Sequence, residues 1–223
     1  MEKQLDWPLV RALGKQSYLF ASLLIFMLMG PVVGSDDTPA ARVTMYMVLI
    51  LVFVTGPLAA SRTQGNLLFT ALLGVSMLLT GVSSSLFPQV VPFNIALGVV
   101  FFGYLAGLVG RDLLKITTEV STETLWMAVN VYILTGLFFA FLYAGVATFD
   151  DSAFIGKFMD TPLRTQIYGF VYFSFVTLTT LGYGDITPAN IVVGTLTYME
   201  ALFGQLFVAI MIARLVGLYT ARK

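Results

Sequence analysis

The sequence predicts an all-α membrane protein with six transmembrane helices and one re-entrant helix and loop. Three observations carry that prediction. Of 223 residues, 58% are hydrophobic and only 11% are charged, against about 25% charged in a soluble domain. Six apolar runs are long enough to cross a hydrocarbon core. A seventh, between the last two, is apolar but too short to cross.

Taken in order, the crossing runs are 18–33, 43–60, 67–87, 91–109, 125–147 and 191–218. The second ends in a Gly56-Pro57 step, expected to kink or finish the helix. Residues 166–180, about 15 in number, suit a helix that dips into the membrane and returns. Lys and Arg favour cytoplasmic loops. From a cytoplasmic N-terminus, Lys3, Arg11, Lys15, Arg62, Arg111, Lys115, Arg214, Arg222 and Lys223 fall inside or at that interface; Arg42, Lys157 and Arg164 fall outside. This bias predicts a multi-pass protein of the inner or plasma membrane with both termini cytoplasmic. A cleaved signal peptide is the competing reading of the first run, but Asp6 and Trp7-Pro8 interrupt its leader and no small-x-small cleavage site stands out.

Composition removes several function classes. Twelve Lys and Arg balance twelve Asp and Glu, so no basic face is expected for nucleic acid. The chain has no His and no Cys, which removes disulfides, thiolate chemistry and imidazole metal sites. No carboxylates cluster within the apolar runs, so neither an enzyme nor a bound cofactor is expected.

The chemistry concentrates in Thr177-Leu178-Thr179-Thr180-Leu181-Gly182-Tyr183-Gly184-Asp185-Ile186-Thr187-Pro188. Two glycines and a tyrosine between helices also suit an ordinary turn. Five specified residues in one window, though, arise by chance in on the order of one in ten thousand chains this long. The segment resembles the T-x-G-Y-G-D selectivity filter of six-transmembrane potassium channels. The resemblance covers about the last hundred residues, from the fifth run onward, and implies a pore helix before the filter and a pore-lining inner helix after it. A dehydrated cation needs oxygen ligands, and rings of backbone carbonyls supply them. Gly182 and Gly184 permit the left-handed dihedrals that such a strand requires.

By that resemblance, Thr180, Leu181, Gly182 and Tyr183 offer carbonyls to K+, with Gly184 completing the strand and the Thr180 hydroxyl adding an inner ring. Leu181 stands where the family more often has Val or Ile. Tyr183 is expected to pack on pore-helix aromatics, with Phe170, Tyr172, Phe173 and Phe175 available, and a Tyr172 hydroxyl near Asp185 would favour such a cuff. The C-terminal end of the pore helix, near Thr179, is expected to face the membrane centre, where its partial negative charge favours a cation. Asp150, Asp151, Asp160 and Asp185 suit an outer mouth that concentrates cations, with loop solvation an equal account of the first three. One loop per chain and a ring of four imply a homotetramer.

On the inner helix, Gly204 suits a hinge or a close contact with the pore helix. Gln205, Val208 and Ile212 share one stripe by their spacing, and the resemblance turns that stripe to the cavity, with Ile212 and Val216 as a hydrophobic gate. Glu200 is the acidic residue within a run, where a charge costs about 2.5 to 3.5 kcal/mol. Either it faces the pore, or it sits behind the filter, bonded to Ser174 or Thr179 and in one form protonated; the rotation of the stripe favours the second.

Residues 1–110 resemble the peripheral four-helix unit of these channels without its charges, since 91–109 contains no Lys or Arg. Moving one charge through about 100 mV supplies about 2.3 kcal/mol, so little is left for voltage to act on. Residues 111–123 read as a cytoplasmic linker in which Arg111, Asp112, Lys115, Glu119 and Glu123 form a polar face, and 124–223 as the pore domain. Five residues after the last run leave gating to the membrane, the filter, lipids or a separate partner. The expectation is a passive potassium channel whose partners are its own copies, K+ and membrane lipids. A non-selective cation pore and a non-conducting regulatory subunit are the alternatives.

Overall fold

The computed structural model describes residues 14–34, 38–84, 87–117, 121–161 and 163–220. Lys3, Asp6, Trp7, Pro8, Arg11, Glu119, Arg222 and Lys223, on which part of the orientation, leader and linker readings rest, lie outside them. The described chain forms α1 (Lys15–Gly34), α2 (Pro39–Ala60), α3 (Gln64–Ser83), a single turn at Pro88–Val90, α4 (Val91–Leu114), α5 (Thr122–Phe149), β1 (Phe154–Gly156), α6 (Leu163–Leu178), β2 (Ile186–Pro188) and α7 (Ile191–Thr220). Five helices are long and apolar enough to cross a membrane, while Lys15–Gly30 and Gln166–Leu178 are shorter apolar helices.

Caps and prolines set the boundaries where hydropathy does not. Thr38 caps α2 by accepting from Ala41 N, with Pro39 at its first turn. Pro57 does not finish that helix, which runs on to Ala60, because Pro57 lies in the last turn and its carbonyl still accepts from Ser61 N at 3.0 Å. Thr63 caps α3, which stops at Ser83 rather than at Phe87, ahead of the proline turn. Ser121 and Thr124 form a reciprocal cap on α5. Asn190 Oδ1 accepts from Val192 N and Val193 N at the start of α7.

Between membrane helices apolar burial supplies little drive, so packing and polar contacts hold them, each about 0.6 kcal/mol on average. Asn130 on α5 donates to the carbonyl and Oε1 of Gln16 on α1 (2.8 and 3.0 Å), and Gln16 Nε2 donates to Ala59 O on α2 at 3.0 Å. The Ser22 and Thr55 hydroxyls meet at 2.7 Å. Phe101, Phe102, Leu105, Leu134 and Leu137 fill the core between α4 and α5 and are fully buried.

Two further features depart from expectation. The all-helical reading misses an antiparallel ribbon in which β1 pairs with β2, Phe154 opposite Pro188 and Gly156 opposite Ile186; three-residue strands are too short to show a period. Helix α4 continues to Leu114, so Arg111 and Asp112 belong to its last turn rather than to a linker. Asp112 is no solvated loop residue: it is 5% exposed and pairs with Arg62 at 2.7 Å, tying α4 to the turn before α3.

Candidate functional site

Helices α5, α6 and α7 meet around the loop from Thr179 to Asp185. Helix α6 ends at Leu178, and the chain turns back on it: Thr180 N donates to Thr177 O (2.8 Å), while Leu181 N and Gly182 N both donate to Val176 O (2.9 and 3.2 Å). The backbone then alternates in hand. Thr180, Gly182 and Gly184 have φ of +59°, +57° and +76°, and Leu181 and Tyr183 between them do not share the positive region. Alternating left- and right-handed residues point successive carbonyls the same way. Among the described residues, no hydrogen bond reaches the carbonyls of Thr180, Leu181, Gly182 or Tyr183. Four consecutive acceptors are thus free, on a strand whose residues are all exposed in the single chain.

Glycine suits two of the left-handed positions. Thr180 is the costly one, since an L-residue there loses roughly 1 to 2 kcal/mol, and strain of this kind collects at functional sites. The sequence singles out Thr180 for its carbonyl and its hydroxyl but does not disclose its left-handed backbone. That hydroxyl accepts from Gln205 Nε2 of α7 at 3.0 Å, which joins two residues read separately as filter and gate.

The second half of the loop is held by Tyr172 and Asp185. Tyr172 donates to Asp185 Oδ2 at 2.7 Å, and its ring stacks on Tyr183 at 6.4 Å and 8°. Of the four aromatics expected to pack on Tyr183, Tyr172 makes the contact. Phe173 faces the other way, against Tyr143 (5.1 Å) and Phe154 (5.7 Å), and Phe170 also packs on Phe154, because a helix turns about 100° per residue. The Asp185 carbonyl accepts from Lys157 N at 2.9 Å, so the ribbon fixes the far end of the loop. Asp150 is occupied by Ser152 and Asn190.

The start of the loop is clamped. Leu178 O, the last carbonyl of α6, accepts from the Tyr132 hydroxyl at 3.0 Å and lies against Gly204, where a Cβ would stand 2.0 Å from it. Gly204 is therefore a point of close approach between α7 and the C-terminal end of α6. Behind the loop, Glu200 is fully buried. Tyr143 donates to its Oε2 at 2.6 Å, and Ser174 Oγ stands 2.5 Å from its Oε1; Thr179 instead donates to Phe175 O. Val208 and Ile212 remain exposed on α7, at 44% and 59%. Arg214, read from the sequence only as a cytoplasmic basic residue, has a contact that reading misses: its Nη2 donates to Leu114 O (2.8 Å) and Ile116 O (2.6 Å) and so ties α7 to the end of α4.

No residues capable of forming a metal cluster of His, Cys, Asp or Glu come together among the described residues. The site's chemistry is that of main-chain oxygens: free acceptors in file, above the negative end of a helix.

Comparison with known proteins bears on the same region. Residues 131–221 match a family model described as ion channel, which begins in α5 and takes in α6, the loop and α7. Neither a curated protein nor a solved structure matches the chain.

Proposed function

Starting from an ion-channel domain at residues 131–221 of a multi-pass membrane protein, we propose that the chain is a potassium-selective channel that conducts passively as a homotetramer. The observation that carries this reading is the run of four donor-free carbonyls at Thr180, Leu181, Gly182 and Tyr183, set by the alternating hand of the backbone. Four copies of that run replace the hydration shell of a cation, with the Thr180 hydroxyls at the inner end and the Tyr172–Asp185 bond bracing the outer end.

Assembly is supported by what α7 lacks. Only 11% of its apolar window is buried, against 56% for α5, and its exposed residues include Val208 and Ile212. In the tetramer that surface lines the cavity and meets neighbouring subunits, with Val208 and Ile212 on the cavity stripe. Glu200 braces the filter from behind and takes no part in the cavity. Six crossings are supported by α1, whose 20 residues reach about 30 Å. Both termini then lie in the cytoplasm, and the membrane is the inner or plasma membrane. Helix α4 has no basic residue before Arg111 in its last turn, so the channel has no voltage sensor of its own.

Flux tests the proposal. Purified protein in potassium-loaded liposomes takes up rubidium under this reading. A preparation that assembles and carries no flux is a regulatory subunit, and the reading fails.

A further inference from the structure

Three helices of the pore meet at one carboxyl group. Glu200 on α7 is fully buried; Tyr143 on α5 donates to its Oε2 at 2.6 Å, and Ser174 on α6 has its Oγ 2.5 Å from Oε1. The same Ser174 Oγ lies 2.7 Å from the carbonyl oxygen of Gly136 on α5. Among the described residues, the titratable groups that face Glu200 are the phenols of Tyr143 and Tyr132. The Tyr132 hydroxyl donates its hydrogen bond to Leu178 O. Among the described residues, Arg62 and Arg111 pair with Asp112, and no Lys or Arg pairs with Glu200.

Counting protons decides the state of this group. A serine hydroxyl has one proton to give, and an ionised carboxylate has none. If Glu200 were ionised, Ser174 would have to choose between Oε1 and the Gly136 carbonyl, leaving one close oxygen pair with no hydrogen between them. The charge would also stand in an apolar layer without a counter-ion, an arrangement that burial penalises heavily. With a proton on Oε1 every contact is satisfied. Glu200 donates to Ser174, Ser174 donates to Gly136 O, and Tyr143 donates to Oε2.

We propose that Glu200 is a neutral carboxylic acid whose proton points to Ser174, and that this proton holds the pore helix against both flanking helices. It is a positioning residue: Ser174 lies one turn before Leu178, the carbonyl that Tyr132 and Gly204 clamp beside the filter. Loss of the proton puts a charge and an oxygen–oxygen repulsion behind the filter strand. The inference rests on the geometry of α5, α6 and α7 and is independent of which ion passes.

Infrared difference spectra of the full chain in lipid, wild type against Glu200→Gln at neutral pH, test it. The expected result is a carbonyl band of a protonated carboxylic acid that shifts in deuterium oxide and is absent from the variant. A carboxylate band in its place overturns the proposal, whether or not the protein conducts. A second arm uses stability. Glu200→Gln keeps all three contacts, its amide donating to Ser174 and its oxygen accepting from Tyr143, and is expected to unfold at the wild-type temperature, whereas Glu200→Leu is expected to unfold lower. A glutamine variant as unstable as the leucine variant contradicts a neutral acid.

Discussion

Replacing Gly204 with alanine separates two roles for this glycine by the sign of a stability change. If Gly204 serves only as a flexible point in α7, alanine improves the helix by about 1 kcal/mol. The structure argues the other way. The new Cβ would lie 2.0 Å from Leu178 O, and the obstacle is backbone, pinned by the Tyr132 hydroxyl at 3.0 Å. Overpacking against a site that cannot relax costs about 1 to 3 kcal/mol, and the rigidity of this one puts it near the upper end. Subtracting the helix gain leaves about 2 kcal/mol of net destabilisation. For a chain of this size that lowers the melting temperature of the solubilised protein by roughly 4 to 8 °C. Repeating the substitution in a Tyr132→Phe background frees the Leu178 carbonyl, so the added penalty there is expected to be smaller, a coupling that a double-mutant cycle reads directly. A Gly204→Ala protein that melts at or above the wild-type temperature refutes the clamp.

Other outcomes follow from the same contacts. Tyr172→Phe removes a hydrogen bond to a carboxylate, worth about 1.5 to 3 kcal/mol, and is expected to lower potassium over sodium selectivity in reversal-potential measurements while leaving assembly intact on a sizing column. Gly182→Ala forces an L-residue to a φ of +57° at a cost of roughly 1 to 2 kcal/mol; rubidium uptake is expected to fall with the oligomer preserved. Arg214→Ala releases the carbonyls of Leu114 and Ile116, and hydrogen exchange at residues 113–117 is expected to rise. Unchanged exchange there would show that Arg214 does not tie α4 to α7.

How far the molecule could be read in advance depends on the range of each interaction. Long apolar runs show themselves because a membrane demands length and hydropathy together, which is why 125–147 and 191–218 anticipate α5 and α7 within a few residues. The loop at Thr180 to Asp185 was legible because its glycines and tyrosine sit at a rare spacing, and Glu200 because a carboxyl group in an apolar run needs a partner. Of its two expected partners, Ser174 and Thr179, the first makes the contact, while Tyr143 is not foreseeable, since a tyrosine 57 positions away carries no local signal. The same holds for Arg62 with Asp112, Tyr132 with Leu178 and Arg214 with the end of α4, all set by how helices cross. The ribbon of β1 and β2 escaped because three residues show no alternation. The left-handed Thr180 escaped because sequence marks glycines, while strain on a threonine is imposed by the turn back onto Val176 and Thr177.

The central claim is that Thr180 to Tyr183 select potassium, and a bi-ionic reversal potential addresses it most directly. With purified protein in liposomes and sodium on the opposing side, the account predicts a reversal potential that moves by about 59 mV for each tenfold change in the potassium gradient and ignores sodium. A potential that follows sodium as closely as potassium would contradict it.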